Sequence, residues 1–599
     1  MARILYILIF IAALPGAMRA SFVEGGKREF PISCNGVPCA VDSANRALYC
    51  SIKPMEGDSV KLVFSSESVP YLRINYKRHN MGDTVRLSNN LNRAYKLHIG
   101  ASLRMWTLYI TTLPIVMIEA SKFEQSAYHH GYLNVIDPWK RTKKSALFRH
   151  FIGARIRGAY TAGLAKKPYA IKLWNAKREG KNVSVLGLMK DDNLILDAMY
   201  NDKARMRTRL CFDLWNRIDS IPYEVSQGHS KLNGTQGRFV EVFVNGAYNG
   251  LYCITDKINR RKLDLVKTET AANGKPEFHG MLYKATGWSD ETHFINVDDN
   301  ANTANTLWWC EWEQKYPDDS VQMANWFPLK NLIKFAAPAT NPSKINFASH
   351  LCKKFYLQNL TNFMLFLNVL NINDNNCKNT YISFRDVNAP NAAALITPWD
   401  LDASMGRNWD GSILDSFGFE NQVNDCGLFK RLFDGSPNYY RENFRDTWIR
   451  LKNGVLSTDS VNARILAYKE LLYTSGAWGR EMTRWPNSVA GIKSETEYMM
   501  DWYARSVKHT DRVLADFPSA INDARANQTS DIYVAVDGGS IIVGSGNIKA
   551  EVAVYSADGA LRESKTAITP FRSRQLEKGI YVLNVKAGNA ALRKKVIIK

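Results

Sequence analysis

The chain has 599 residues, of which 45% are hydrophobic and 23% are charged, and its formal net charge is +21. This length exceeds one ordinary hydrophobic core, and the composition excludes a disordered or collagen-like chain. The 9 cysteines are too sparse for a disulfide scaffold, and they form no CxxC pair beside a histidine cluster that would indicate zinc. The basic residues are scattered without a nucleic-acid-binding motif, so we expect no nucleic-acid partner.

The first twenty residues have the pattern of a secretory signal peptide. Arg3 precedes an apolar run over residues 4–14, and small residues lead to a cleavage point after Ala20. No later segment is both as apolar as this run and long enough to span a membrane. We therefore expect an exported chain without a transmembrane span. It would be secreted or held at the outer-membrane surface, with the periplasm as the alternative.

Residues 21–145 predict an N-terminal β-sandwich-like domain. Short alternating runs, such as residues 59–64 and 105–110, lie between turn-forming residues. Export permits disulfides, and Cys34 and Cys39 flank an Asn-Gly-Val-Pro turn that could bring them together. We find no chemical motif in this domain.

Residues 146–518 change from strand-like patterns to helical ones. Lys172 lies in an alternating run that predicts a strand, and Asn245-Gly246 joins two such runs as a hairpin turn. Asp202 is a candidate N-cap for the helical pattern that follows it. Residues 355–372 are apolar nearly all round, which predicts a helix buried in a large core.

The most informative chemical pattern begins where that apolar helix ends. Asp374 stands five positions before Asn379, a strand-like run follows, and Asp400 and Asp402 form an acidic pair. Phosphoryl transfer needs a carboxylate that orients or deprotonates the attacking hydroxyl, and further oxygen ligands that hold the metal. The Asp-x-x-x-x-Asn spacing equals that of the protein-kinase catalytic loop. Alone, the pattern is a hypothesis that needs structural context.

A separate C-terminal domain is predicted after a polar linker at residues 519–529. Residues 530–599 contain five short strand-like runs and a Ser-Ala-Asp-Gly turn at 556–559. This pattern is typical of a small β-sandwich.

The middle region resembles the spore coat protein H (CotH) family of secreted, atypical protein kinases. The matching segments lie in the family's order: A-R-I-R-G at 154–158, K-K-P-Y-A-I-K-L at 166–173, Y-N-D-K at 200–203 followed by Arg207, the hairpin at 238–252, T-D-K-I at 255–258, N-D-N at 373–375, N-T-Y at 379–381 and P-W-D-L-D at 398–402.

The resemblance implies a two-lobed kinase-like fold that binds ATP with Mg²⁺ or Mn²⁺ and phosphorylates Ser or Thr of a secreted or surface protein. It implies these site residues: Lys172 at the ATP phosphates, with Lys166 and Lys167 as close competitors; Arg157 and Arg207 as further phosphate contacts; Asp374 as the catalytic base; Asn379 and Asp400 as metal ligands; and Asp402 as a second ligand or a structural acceptor.

The chain departs from the family pattern at two places. Ala159-Tyr160-Thr161 stands where the family has a polar Asn-Ser-Ser segment, and Asp256 stands where it has Glu. The first change removes hydroxyl and amide donors from a phosphate-binding position. An inactive kinase-like surface scaffold or adhesin that binds glycan or protein therefore stays open as an alternative. So does transfer of a nucleotidyl group.

The last seventy residues resemble the sorting domain used for type IX secretion in Bacteroidota. The matching segments are V-A-V-Y-S-A-D-G at 552–559, L-E-K-G-I-Y-V at 576–582 and K-K-V-I-I-K at 594–599. The resemblance implies export through the outer membrane and anchoring at the surface, while an ordinary accessory β-sandwich is the alternative. The expected whole is a multidomain α+β chain, with a two-lobed atypical protein-kinase-like domain between two β-sandwiches.

Overall fold

The computed structural model describes residues 31–140, 146–299, 306–318, 323–390, 392–419, 426–435, 438–515, 533–537, 539–544, 549–587 and 590–598. The predicted signal peptide and the predicted linker lie outside these residues. The chain divides into two compact units, residues 1–222 with 230–517 and residues 223–229 with 518–599. The architecture is a mixture of α-helices and β-sheets, as expected.

Two sheets with one shared core form the first part of the larger unit. Their strands are β1 (Ser33–Cys34), β2 (Val37–Pro38), β3 (Ala40–Asp42), β4 (Ala47–Ser51), β5 (Ser59–Ser65), β6 (Tyr71–Ile74), β7 (Lys77–Asn80), β8 (Thr84–Ser88), β9 (Tyr95–Ile99) and β10 (Trp106–Thr111). The sheet orders are β2-β1-β5-β8 and β3-β4-β10-β9-β6-β7. In β5, alternate residues such as Val60 and Leu62 are buried in the shared core, which confirms the alternating pattern predicted there.

A closed barrel follows. Its strands are β11 (Ile115–Ala120), β12 (His129–Ile136), β13 (Leu147–Ile156), β14 (Tyr169–Trp174), β15 (Asn193–Asp197), β16 (Gly237–Val244) and β17 (Ala247–Thr255). They are ordered β11-β12-β13-β14-β15-β17-β16, and the parallel pair β11 and β16 closes the ring. Two of these strands, β11 and β12, fall within the stretch that was predicted to belong to the first domain. Val116 and Ile118 of β11 pack in the barrel's apolar core, which explains their place there.

The predicted hairpin and the predicted strand at Lys172 are both present in this barrel. Strands β16 and β17 pair antiparallel, and the turn residues Asn245 and Gly246 have φ values of 46° and 83°. Both values are positive, as a two-residue primed turn requires. Lys172 lies in β14 between the core residues Ile171 and Leu173, so its side chain points away from the barrel core.

A smaller sheet and a helical region complete this unit. The strands are β18 (Glu269–Thr270) paired with β19 (Pro276–Glu277), and β20 (Met281–Ala285), β21 (Trp308–Trp309), β22 (Trp312–Tyr316), β23 (Thr380–Phe384) and β24 (Leu395–Pro398) in the order β21-β22-β20-β23-β24. The helices of the described residues are α1 (Arg207–Ile218), α2 (Pro222–Val225), α3 (Phe327–Ala336), α4 (Lys344–Lys354), α5 (Leu357–Leu370), α6 (Gly427–Gly435), α7 (Asn438–Lys452), α8 (Thr458–Thr474), α9 (Ala477–Arg484) and α10 (Ile492–Ala515).

Helix α5 is the predicted buried helix, and it positions the site described below. Every residue from Asn359 to Leu370 is buried, so the end of this helix is held inside the core. Helix α1 begins at Arg207, later than predicted. Its N-cap is Met206, so the prediction of Asp202 as N-cap is wrong, although Asp202 Oδ2 accepts hydrogen bonds of 2.6 Å from the backbone N–H groups of Met206 and Arg207.

The smaller unit contains the C-terminal strands that were predicted from the sequence. They are β25 (Tyr533–Asp537), β26 (Ser540–Gly544), β27 (Lys549–Ser556), β28 (Leu561–Ile568), β29 (Phe571–Arg572), β30 (Gly579–Ala587) and β31 (Ala590–Ile598). They form the sheets β25-β26-β29 and β28-β27-β30-β31 around a core of their own, which includes Val543, Val552 and Leu583. No helix in the described part of the chain is long and apolar enough to cross a membrane.

Candidate active site

The acidic side of the site begins at the end of helix α5. Asn371 ends that helix in the left-handed conformation, with φ of 46°, and a 3-10 turn over Asn373–Asn375 follows. Because the helix is buried, the turn that carries Asp374 is held by the core rather than by a free loop. Asn is among the few residues that adopt this conformation at low cost.

The spacing of Asp374 and Asn379 closes into direct contact. Asn379 Nδ2 donates a hydrogen bond of 2.8 Å to Asp374 Oδ2, and Lys378 Nζ lies 3.3 Å from the other carboxylate oxygen. The backbone N–H of Asn379 donates to the carbonyl of Ala285 on the neighbouring strand β20. The predicted proximity of these two residues is therefore present, with the Asp374 carboxylate oriented by two donors.

Asn375 ties this turn to the segment that carries Asp400. Its Nδ2 donates to the carbonyl oxygens of Asn379 and Trp399, and the Trp399 N–H donates to the Asn379 carbonyl at 3.0 Å. Strands β23 and β24 continue the pairing, with Thr380 opposite Pro398. Asp400 consequently lies beside Asn379, on an exposed turn with φ of 62°.

Four carboxylates influence one another here. Burial raises the pKa of Asp402 well above its usual range, and the negative charges of Asp400 and Asp197 raise it further. Burial also raises the pKa of Asp374 and of Asp197, and the charge of Asp400 adds to both increases. We call Asp197, Asp374, Asp400 and Asp402 the acidic group. Such mutual repulsion is relieved when a cation binds among the carboxylates.

Arg157 and Lys284 interact with the acidic group, and Lys257 interacts with Arg157 and Lys172. Arg157 directly follows β13, and its guanidinium carbon lies 5.6 Å from the Trp399 ring centroid. Lys284 lies on β20, and burial lowers its pKa from 10.5 to about 8, although Asp400 opposes that decrease. Burial likewise lowers the pKa of Lys257 to about 8, and the charge of Lys315 and, to a smaller extent, those of Lys172 and Arg157 contribute. Arg157, Lys172, Lys257 and Lys284 form what we call the basic group.

The structure therefore brings together five of the seven residues that the sequence singled out, and it links a sixth, Lys172, to them only through Lys257. Asp374, Asn379, Asp400 and Asp402 form one side, Arg157 contacts Trp399 next to Asp400, and Lys172 interacts with Lys257. Lys172 Nζ also lies 5.3 Å from the Tyr128 ring centroid, on the outer face of the barrel.

Arg207 occupies a different position. It is fully buried, donates to Asp202 at 2.8 Å and to the carbonyls of Ser404 and Met405, and pairs with Glu495 at 2.9 Å. These partners occupy its guanidinium nitrogens, and Ser404 and Met405 belong to the loop that follows Asp402. The geometry makes Arg207 a support for that loop, and its assignment to a phosphate stays a prediction.

The two competitors of Lys172 are both engaged in the protein. Lys166 is fully buried, and its Nζ lies 2.7 Å from Glu481 Oε1, which also accepts from Arg205. Lys167 donates to the carbonyl of Ala162, in the 3-10 turn over Tyr160–Gly163. Lys172 is thus the lysine of this segment that lies in the basic group.

Sequence reasoning missed Lys257, Lys284 and Asp197. Lys257 stands inside the T-D-K-I segment that resembles the family, and this position was the available signal for it. Lys284 is the one polar residue of the strand M-L-Y-K-A, whose other four residues are buried. A lysine within a short apolar strand was the available signal, because such a charge is costly to bury without a function.

The acidic group fits a divalent metal in its donor chemistry. Asn373 Oδ1 and Asn375 Oδ1, on either side of Asp374, are buried acceptors with no hydrogen-bond partner among the described residues. Within the described ranges, no group of three or more His, Cys, Asp or Glu is arranged so that these residues alone could hold a metal ion. Mg²⁺ usually takes one or two carboxylates and completes its shell with water and substrate phosphates, which Asp400, Asp402 and Asn379 can provide for.

Comparison with known proteins adds one finding. The family model described as CotH kinase protein matches residues 154–509, which is more than half of the chain. The match spans every residue of the acidic and basic groups. No curated protein matches the chain.

Proposed function

Because the chain belongs to the CotH kinase family, we propose that it transfers the γ-phosphoryl group of ATP to Ser or Thr hydroxyls of a protein substrate. The observation that carries this proposal is that Arg157, 5.6 Å from the Trp399 ring, and Lys284 lie beside the acidic group that contains Asp400. Phosphoryl transfer needs little covalent chemistry from the protein. It depends on positioning and on electrostatic stabilisation, which paired groups of opposite charge supply.

Asn379, Asp400 and Asp402 would hold Mg²⁺ or Mn²⁺ together with the ATP phosphates. The metal would neutralise phosphate charge and fix the phosphate geometry. The Asp400 carboxylate is exposed and can bind the metal, whereas Asp402 is half-buried and accepts a hydrogen bond from the Ala403 N–H at 3.0 Å. This arrangement favours Asp400 as the principal ligand.

Asp374 would accept the proton of the attacking hydroxyl. Burial raises the pKa of this carboxyl, with a contribution from Asp400, and a higher pKa makes a stronger proton acceptor. The hydrogen bond from Asn379 holds one carboxylate oxygen, so the other can face the substrate. Lys378 lies near that second oxygen and would stabilise negative charge there.

The basic group would bind the phosphates. Arg157 and Lys284 both influence the acidic group, which supports their contact with the phosphate nearest to the metal. Lys257, which interacts with Arg157 and Lys172, would contact the remaining phosphates together with Lys172. Tyr160 and Trp409 form an edge-to-face pair with centroids 4.9 Å apart, in the segment where the family pattern has small polar residues.

Labelled ATP tests this proposal. We expect transfer of label from γ-labelled ATP with Mg²⁺ or Mn²⁺ onto the chain itself or a generic acceptor protein, and none from the Asp400→Asn variant. Asp501→Asn, on the exposed face of helix α10, is the matched control and should transfer normally. Transfer from α-labelled ATP instead would indicate a nucleotidyl transferase. Absence of both transfers, with no ATP-dependent thermal shift, would indicate the scaffold or adhesin.

Export is a separate proposal. The signal-peptide pattern of residues 1–20 and the C-terminal β-domain support a chain that is secreted or anchored at the outer-membrane surface, with type IX secretion in a Bacteroidota host. Fractionation of the native host with mass spectrometry of the chain's two ends tests it. A mature N-terminus at Ser21 in the medium or surface fraction is the expected result, and an intact cytoplasmic chain would contradict it.

A further inference from the structure

Three buried cysteines meet in the core of the first two sheets. Cys34, Cys39 and Cys50 belong to one apolar cluster, and all three are essentially inaccessible to solvent. The Sγ atoms of Cys39 and Cys50 are 3.2 Å apart. Cys34 is the third member, and its thiol interacts with that of Cys50.

The strand register explains why Cys39 meets Cys50. Strands β3 and β4 pair antiparallel, with Ala40 opposite Tyr49. One step further along the same register, Cys39 lies directly opposite Cys50. Directly opposed residues of antiparallel strands have Cα atoms roughly 4.5–5.5 Å apart, which lies within the range that disulfides span.

The register also separates Cys34 from Cys39, the pair that the sequence suggested. In the hairpin of β1 and β2, Cys34 is opposite Val37. The backbone N–H of Cys39 donates to the carbonyl of Ile32, so Ile32 rather than Cys34 lies across from it. The hairpin therefore does not place Cys34 and Cys39 directly opposite each other.

We propose that Cys39 and Cys50 form a disulfide bond in the exported protein and that Cys34 keeps a free thiol beside it. The two thiols lose two protons and two electrons in forming the S–S bond. A disulfide exchange partner, such as a dithiol oxidase or glutathione disulfide, accepts the electrons and becomes a pair of thiols. The inference rests on the proposed export but not on the proposed transferase activity.

The bond must form before the core closes. Burial raises the pKa of both Cys39 and Cys50, so the thiolate needed for exchange is disfavoured in the folded chain. Protein that has folded in a reducing compartment should therefore stay reduced after purification in air. Protein folded during export should be oxidised in full.

Mass spectrometry of the full chain tests this directly. Free thiols are blocked with one alkylating reagent under denaturing, non-reducing conditions, and trypsin then cuts after Arg46, which separates Cys50 from the peptide that holds Cys34 and Cys39. We expect these two peptides to be linked and lighter by two hydrogen atoms, with the blocking group on Cys34. Blocked thiols at both Cys39 and Cys50 in exported protein would overturn the proposal, as would a link through Cys34.

Two variants keep the outcome unambiguous. Cys34→Ser should leave the link intact, and reduction should lower its melting temperature as it does that of the natural chain. The double variant Cys39→Ala, Cys50→Ala should lose the link and the sensitivity to reduction. If the double variant does not fold, the peptide map of Cys34→Ser still decides the matter. Equal reduction sensitivity in the double variant would contradict the proposed bond.

Discussion

Lys284 is a candidate functional residue whose buried charge destabilises the folded protein. Its pKa falls from 10.5 to about 8, chiefly because the ammonium group is buried. A decrease of this size corresponds to about 3 kcal/mol of unfavourable free energy for the charged form at neutral pH. A role of Lys284 in phosphate binding explains why the chain keeps this charge, because active-site residues often lower the stability of the folded protein.

We therefore predict that Lys284→Met is more stable and inactive. Met retains the length of the stem and removes the buried charge, so the melting temperature at pH 7 should rise by a few degrees while phosphoryl transfer is lost. Calorimetry and the labelled-ATP assay measure the two effects. The stability advantage should shrink as pH rises from 8 towards 10.5, because the unfolded chain binds the extra proton in that window and the native protein gains stability there. A variant that is less stable yet active would refute this role.

The pH dependence of activity is a second prediction at this scale. Lys257 and Lys284 both have a pKa of about 8, so they are charged below that pH and become neutral above it. If both bind phosphate, kcat/KM for ATP should fall as pH rises above about 8, since that parameter reports groups of the free enzyme. Lys284→Arg, which stays charged, should shift the fall to higher pH. A profile that is flat up to pH 10 would show that neither lysine contacts ATP.

At the scale of elements, buried ion pairs join the helical region to the barrel. Glu481 of helix α9 accepts from Lys166 and Arg205 and from the backbone N–H of Leu251 on β17. Glu481 and both cations are fully buried. Removal of the carboxylate would leave two unpaired charges inside the protein.

We predict that Glu481→Gln lowers the free energy of unfolding by about 3–5 kcal/mol, the usual result when one partner of a buried ion pair is lost. The glutamine side chain can still accept the hydrogen bond from the Leu251 N–H, so the variant measures the effect of removing the negative charge. Urea unfolding followed by tryptophan fluorescence measures it. Glu497→Gln, an exposed i,i+4 pair with Lys493 on helix α10, is the control and should change stability by less than about 0.5 kcal/mol. Equal effects of the two changes would contradict the account.

The elements themselves were largely predictable, since their signals are local. The Asn245-Gly246 turn, the buried helix α5 and the contact of Asp374 with Asn379 each follow from a pattern within a few residues. The partners of Arg207 were not predictable, because Ser404, Met405 and Glu495 lie far along the chain. The proximity of Lys284 to Asp400 was not predictable either, because it depends on the pairing of β23 with both β20 and β24.

On the scale of the whole molecule, the first two sheets and the barrel share a core. Tyr49 of β4 packs on Phe243 and Tyr248 of the barrel, with ring centroids 5.0 and 4.9 Å apart. Arg480 of helix α9 donates to the carbonyls of Leu91 and Ile110 and pairs with Glu241 of β16. The family match begins only at residue 154, yet these contacts make the preceding residues part of the same folded body.

We predict opposite outcomes for two truncations. A chain that lacks residues 31–112 should not fold, because the barrel core would lose its cover and Arg480 would lose partners. A chain that ends at residue 517 should keep its melting temperature and its transfer activity, because the C-terminal strands have a core of their own. Near-UV circular dichroism and the labelled-ATP assay distinguish these results. A folded, active chain without residues 31–112 would refute the shared core.

The central claim is that the acidic and basic groups form one nucleotide–metal site. Isothermal titration of ATP into the full chain, with and without Mg²⁺, tests it most directly, using the natural chain, Asp400→Asn and Lys284→Met. We predict Mg²⁺-dependent binding by the natural chain, loss of the Mg²⁺ dependence in Asp400→Asn, and at least about tenfold weaker binding by both variants, as loss of a charge-assisted contact implies. Binding of equal strength in all three proteins, with or without Mg²⁺, would contradict the claim.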